Sequence, residues 1–187
     1  MSLPEAAAMQ RPLEPLSLLA AYNQWMNVRL YDAAATLPHE ELIADRGAFF
    51  KSILGTLNHL AVADTIWLKR FALHPTAPTV LAQLQDTPLP AALDAMPYAD
   101  LHALRQRRQW LDDIIVAWVE ALKPGDLDSV LEYRNTRGTA FRRPLGSLAM
   151  HFFNHQTHHR GQITTLLSQA GVDVGVTDLV ALIPEVG

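Results

Sequence analysis

Twelve prolines cut this chain of 187 residues into long stretches, and within those stretches the apolar residues recur at helical spacing. After Pro12 and Pro15, residues 16–37 place Leu19, Asn23, Met26, Leu30 and Ala33 three or four positions apart, which predicts an amphipathic helix stopped by Pro38. A second helix is expected over 49–73, ahead of His74-Pro75. Residues 74–98 hold five of the twelve prolines and read as a long connection with one short helical turn at 91–95. A third helix over 100–122 aligns Leu101, Leu104, Leu111, Ile115, Trp118 and Leu122, and Lys123-Pro124-Gly125 ends it. The short runs 130–133 and 139–142 flank Asn135-Thr136-Arg137-Gly138 and predict a small β-hairpin. A fourth helix starts at Pro144, a residue favoured at the first helical position, and runs to Ala170 before Gly171. A last short helix is expected over 178–183 with Thr177 as its N-cap.

Long amphipathic segments with no internal repeat make an all-α four-helix bundle the expected architecture, with 74–98 able to serve as a crossover. The length suits a single domain over 16–187, preceded by an N-terminal extension over 1–15. Hydrophobic residues at 49% and charged residues at 18% place the chain among ordinary folded proteins. Its net charge of −4 argues against a general nucleic-acid binder. Eight of the fifteen Lys and Arg residues nevertheless fall between Arg105 and Arg143, a run that is either a solvated face or an anion site. There is no cysteine, which excludes disulfides, thiolate ligands and a cysteine nucleophile and fits a cytoplasmic setting. No apolar run approaches the roughly 18 residues of a membrane span, the longest clean one being 114–119, so no membrane role is expected.

Four of the eight histidines lie in His151-Phe152-Phe153-Asn154-His155-Gln156-Thr157-His158-His159-Arg160-Gly161-Gln162. On a helix His155 and His159 sit about 40° apart, one turn above the other, in the same stripe as Leu148, Phe152, Ile163 and Leu166. Two imidazoles in an apolar stripe need partners for their ring nitrogens; a metal ion or hydrogen bonds to neighbouring helices both serve. His151 and His158 fall on the flanks of the stripe. In the second helix His59 shares a stripe with Val62, Ala63 and Ile66, with Gly55 and Ala63 leaving space beside it, so a third imidazole faces the core. Three neutral imidazoles with an open position suit zinc, nickel or iron. The glutamate base of H-E-x-x-H proteases is replaced by Gln156, and no Glu precedes any of these histidines by three, so neither a zincin protease nor a di-iron carboxylate site is expected. Asp64, about 140° around the helix from His59, is expected to serve the surface.

These residues resemble the DinB/YfiT-like superfamily of metal-dependent four-helix bundles, which is unrelated to the DNA polymerase of the same name. Tyr22-Asn23-Gln24-Trp25-Met26-Asn27 is similar to that family's first-helix pattern, His59 with Asp64 and Trp67-Leu68 to its second helix, and Asn154-His155-Gln156-Thr157-His158-His159-Arg160-Gly161-Gln162 to its N-H-x-x-H-H-R-G-Q signature. The Tyr133 to Gly138 region resembles the family's tyrosine and turn before the last long helix, and the resemblance spans 16–182. It implies His59, His155 and His159 as metal ligands, with His158 a neighbour outside the set. It also implies a metal-dependent enzyme that activates a low-molecular-weight thiol, such as bacillithiol or mycothiol, for S-transfer to a small electrophile. In a chain without cysteine that thiol is a cosubstrate, and the Arg105 to Arg143 region is a candidate for holding its carboxylates. Two other classes stay open: a small-molecule hydrolase using metal-activated water with His158 or His151 as base, and a non-catalytic stress-related bundle. The resemblance further implies a homodimer, for which Trp25 and Trp118 are candidate contact residues or plain core.

Overall fold

The computed structural model describes residues 13–185, so the expected extension over 1–15 lies almost wholly outside the described residues. Four long helices dominate: α1 (Glu14–Ala34), α3 (Ile53–Phe71), α4 (Leu101–Ala121) and α5 (Leu145–Gln169). A short α2 (His39–Ile43) follows Pro38, and it was not expected from the sequence. Local chemistry sets the ends. Ser52 accepts a hydrogen bond from the Gly55 amide at 3.0 Å, and Asp100 accepts one from the Ala103 amide at 2.8 Å, each satisfying an orphan donor at a helix start.

The second long helix therefore begins at Ile53 and not at Phe49. Residues 48–52 form a turn in which the Lys51 amide donates to the Ala48 carbonyl at 2.8 Å and Lys51 takes a φ of 65°, a left-handed conformation that no helix can continue through. Within the proline-rich connection the helical turn is a 3₁₀ segment at Thr79–Leu84, where Leu81 and Leu84 are buried. Residues 91–95 form only a bend and turn. Leu179–Leu182 is likewise a 3₁₀ turn; its N-cap is Asp178 with no side-chain cap bond, in place of Thr177.

The hairpin is present. Strands β1 (Val130–Arg134) and β2 (Ala140–Pro144) pair antiparallel with Tyr133 opposite Phe141, and the Asn135 carboxamide oxygen accepts from the amides of Arg137 and Thr139 across the turn.

Helices α1 and α3 each pack along both α4 and α5. Cross-helix bonds give the directions. Asn58 donates to the Tyr98 carbonyl, and Asp64 pairs with Arg108, so α3 and α4 run parallel. His59 meets His159 while Trp67 meets His151, so α5 is antiparallel to α3. Parallel neighbours require the chain to return from the end of α3 to its beginning, and residues 72–100 are that crossover. Running back along α3, the crossover brings Leu93 beside His59.

The shared core draws on all four helices. Trp118 is 1% exposed and stacks on Phe71 with centroids 4.5 Å apart, so it is core and not a contact face; Trp25 is half-buried beneath Arg29. Among the described residues no helix is long and apolar enough to cross a membrane.

Candidate metal centre

α3 and α5 bring His59, His155 and His159 together, with one ring nitrogen from each lying within 4.8 Å of the others. His59 Nε2 stands 3.3 Å from His155 Nε2, and the rings of His155 and His159 are 4.4 Å apart between centroids. The far nitrogens show which atoms are free. His59 Nδ1 donates to the Leu93 carbonyl at 2.8 Å, and His159 Nδ1 donates to Gln162 Oε1 at 2.7 Å. Both rings therefore carry their proton on Nδ1 and turn a bare Nε2 lone pair inward.

The electrostatics agree. Burial pushes the basicity of His59 down, partly opposed by the Leu93 carbonyl and Asp64. Burial also lowers His159, partly opposed by Gln162. His155 falls furthest, to about 3, from burial first and then from His159 and His59 beside it. Three neutral imidazoles converging on one point, two of them fixed from behind, are a donor set that a divalent cation fits. The three could hold a metal ion, with no carboxylate or thiolate in the set.

Phe50 covers one side. Its ring stacks on His59 at 3.8 Å between centroids and meets His159 edge-on at 5.6 Å. The Lys51 turn delivers it there, and Gly55 makes the turn possible, because a β-carbon at that position would collide with the Phe50 carbonyl oxygen. Neither flanking histidine joins the cluster. His151 is exposed, with its ring 6.0 Å from His155 and 5.1 Å from Trp67; His158 is exposed and lies edge-on to His159 at 4.9 Å.

Asp64 overturns its expected surface role: it is 1% exposed. Gln156 donates to its Oδ1 at 2.8 Å and Arg108 to its Oδ2 at 2.5 Å. Arg108 also approaches Asp112 at 3.0 Å, and Asp112 accepts from Asn23 and Asn27 at 2.9 Å each. Arg160 donates to Asn23 and lies over the Tyr22 ring. Two carboxylates and two guanidiniums thus balance inside the bundle, linking α1, α3, α4 and α5. Burial alone would lower the Arg108 pKa, and Asp112 and Asp64 more than reverse it. Arg108, counted in the basic run, belongs to this core, so that run is not one solvated face.

Sequence reasoning found the three ligand candidates and missed Phe50, Leu93, Gln162 and the partners of Asp64. Gln162 had a usable signal, since it lies three residues from His159 on the same helix; Leu93 acts through its backbone carbonyl, which no side-chain pattern reveals.

The Protein DinB of Bacillus subtilis (strain 168) is 27% identical over 160 residues, covering 86% of this chain and 88% of that protein. The uncharacterized protein YrdA of the same strain is 48% identical over 59 residues, or 31% of this chain and 34% of that one. A crystal structure of a DinB-like protein from Bacillus cereus has a TM-score of 0.59 at 22% identity and covers 90% of this chain and 99% of its own, a likeness of fold. With the DinB family matching residues 9–185, the chain belongs to the DinB family.

Proposed function

We propose that His59, His155 and His159 hold a divalent metal and that the protein is an enzyme transferring a low-molecular-weight thiol to a small electrophile. The observation that carries this reading is the inward convergence of three neutral imidazoles, two of them fixed from behind by Leu93 and Gln162. A divalent metal in such a site supplies Lewis acidity that lowers the pKa of a thiol and polarises the electrophile.

The chain's own residues do the rest. Phe50 shields one side of the cluster from water with its ring on His59 and its edge toward His159. Gln156 is turned into the bundle toward Asp64, so it supplies no base. Of the two flanking imidazoles, His151 is the proton acceptor in this reading: its ring is 6.0 Å from that of His155, and partial desolvation, with Arg143 and Arg70 nearby, lowers its pKa. In the transfer the thiol proton passes to His151 or water, sulfur forms its bond to the electrophilic carbon, and the leaving group departs with its electron pair. The thiol comes from a cosubstrate because the chain has no cysteine.

A panel of glutathione, bacillithiol, mycothiol and coenzyme A against model electrophiles tests the reading. Metal-dependent turnover with at least one thiol, lost after chelation and restored by metal, is expected. No turnover with any of them would sink it.

A further inference from the structure

Beside the histidines lies a cavity of about 950 Å³ between the second half of α3, the end of the crossover and the hairpin. Its volume falls within the range of small-molecule sites. Leu73, Leu89 and Leu93 on its walls are 64%, 63% and 49% exposed, an apolar lining with nothing against it among the described residues.

The cations around it differ in how they are engaged. Lys69 Nζ donates to the carbonyls of Leu84, Gln85 and Thr87, holding the crossover against α3. Arg142 pairs with Glu132 at 2.8 Å, and Arg134 donates to the Gly138 carbonyl at 2.6 Å. Arg70 alone of the four has neither a hydrogen bond nor an ion pair among the described residues. Its guanidinium rests in the corner of two rings, 4.6 Å from the Trp67 centroid and 5.2 Å from that of Tyr133. The rings give it cation–π contact while its five N–H donors keep no acceptor. Half-buried without a counter-ion, the guanidinium is partly desolvated, and burial disfavours its charge. An anion in the cavity would repair that deficit, and the fork of an arginine matches a carboxylate.

We infer that this cavity binds a small organic carboxylate with an apolar body, its carboxylate held by Arg70 and its body against Leu73, Leu89 and Leu93. The site adjoins the metal centre at two points. Leu93 lines the cavity with its side chain and holds His59 with its carbonyl, and the Trp67 ring that supports Arg70 also meets His151. Binding itself needs no metal, so the inference goes beyond the thiol-transfer reading and stands or falls apart from it.

Isothermal titration calorimetry on the full chain with hydrocinnamate and with its amide, hydrocinnamamide, tests the site. Hydrocinnamate is expected to bind, with the amide at least about tenfold weaker, because a charge-assisted bidentate pair is lost. Arg70→Met, which keeps the apolar stem, is expected to erase that preference. Arg70→Lys, the milder change should the first variant fail to fold, is expected to reduce it several-fold, since an ammonium cannot make the forked contact. Hydrocinnamate is expected to bind chelator-treated protein equally well with and without added zinc, which separates this site from the metal chemistry. Equal binding of acid and amide to the wild type, no binding of either, or a preference unchanged in the Arg70 variants would each overturn the inference; an Arg70 that only props the two rings would shift melting temperature and leave the preference intact.

Discussion

Gln156 donates its amide to the Asp64 carboxylate across 2.8 Å, although the residue before it, His155, turns its ring toward His59. The N-H-x-x-H-H-R-G-Q run is thus two interleaved pairs one turn apart. His155 and His159 converge on the candidate metal position, while Gln156 and Arg160 enter the buried polar network that ties α5 to α1, α3 and α4. The network sets the register of α5, and the register sets where the two imidazoles meet the third.

Replacing Gln156 with Glu restores an H-E-x-x-H spacing, yet it points the new carboxylate at Asp64 and away from the histidines. Gln156→Glu is expected to lower stability by like-charge contact in the core and to confer no peptidase activity, checked by thermal unfolding and a casein assay.

Removing the other partner is costlier. Asp64→Ala leaves the Arg108 guanidinium buried beside Asp112 alone, and loss of one side of a buried pair costs about 3–5 kcal/mol. Chemical denaturation should show a shift of that order, whereas Arg105→Ala, which breaks the more exposed pair with Asp32, should change stability by no more than about 1 kcal/mol.

The burial of Asp64 is not legible in the helical spacing alone. The prolines and apolar spacing made the four helices, the hairpin and the crossover legible, and the histidine stripes gave the three ligand candidates. At about 140° from His59, Asp64 would reach water only if α3 had a solvated side there, and it is 1% exposed. Sixteen of the residues in α3 are buried, and from Ile53 to Leu68 the only charged residue is Asp64 itself. A helix so nearly free of charge is enclosed all round, and a lone aspartate on it needs a buried cation. Phe50 was hidden for another reason: the left-handed Lys51 that places it is a backbone event with no side-chain pattern.

The Phe50 cover depends on Gly55. Gly55→Ala sets a methyl group against the Phe50 carbonyl and should displace the turn, costing about 1–3 kcal/mol and weakening metal retention through loss of the stacked ring on His59. Unfolding and competition with a chromogenic chelator measure the two effects separately.

Acid should destabilise the metal-free chain. His155 stays neutral in the folded protein down to about 3, while in the unfolded chain it takes up a proton near its ordinary 6.5. Below 6.5 the unfolded state therefore binds a proton that the folded state refuses, and stability falls as pH drops from about 6.5 toward about 3. The melting temperature of the chelated wild type should decline over that window, and the decline should be shallower in His155→Gln.

The partner behind His159 has its own signature. Gln162→Leu removes the acceptor that fixes the His159 proton on Nδ1, and loss of such a partner weakens metal affinity by about ten- to a hundred-fold while leaving the ligands in place. Titration with zinc under chelator competition should find full occupancy reached at higher free metal.

The most direct measurement is metal content per chain, determined by mass spectrometry on protein purified without a histidine tag, for the wild type and for His59→Ala, His155→Ala and His159→Ala. About one divalent ion per wild-type chain, with occupancy falling steeply in each variant while the helical circular dichroism persists, is the expected result. Occupancy unchanged in all three variants, or a wild type that takes up no divalent ion when supplied with zinc, nickel or iron, would contradict it.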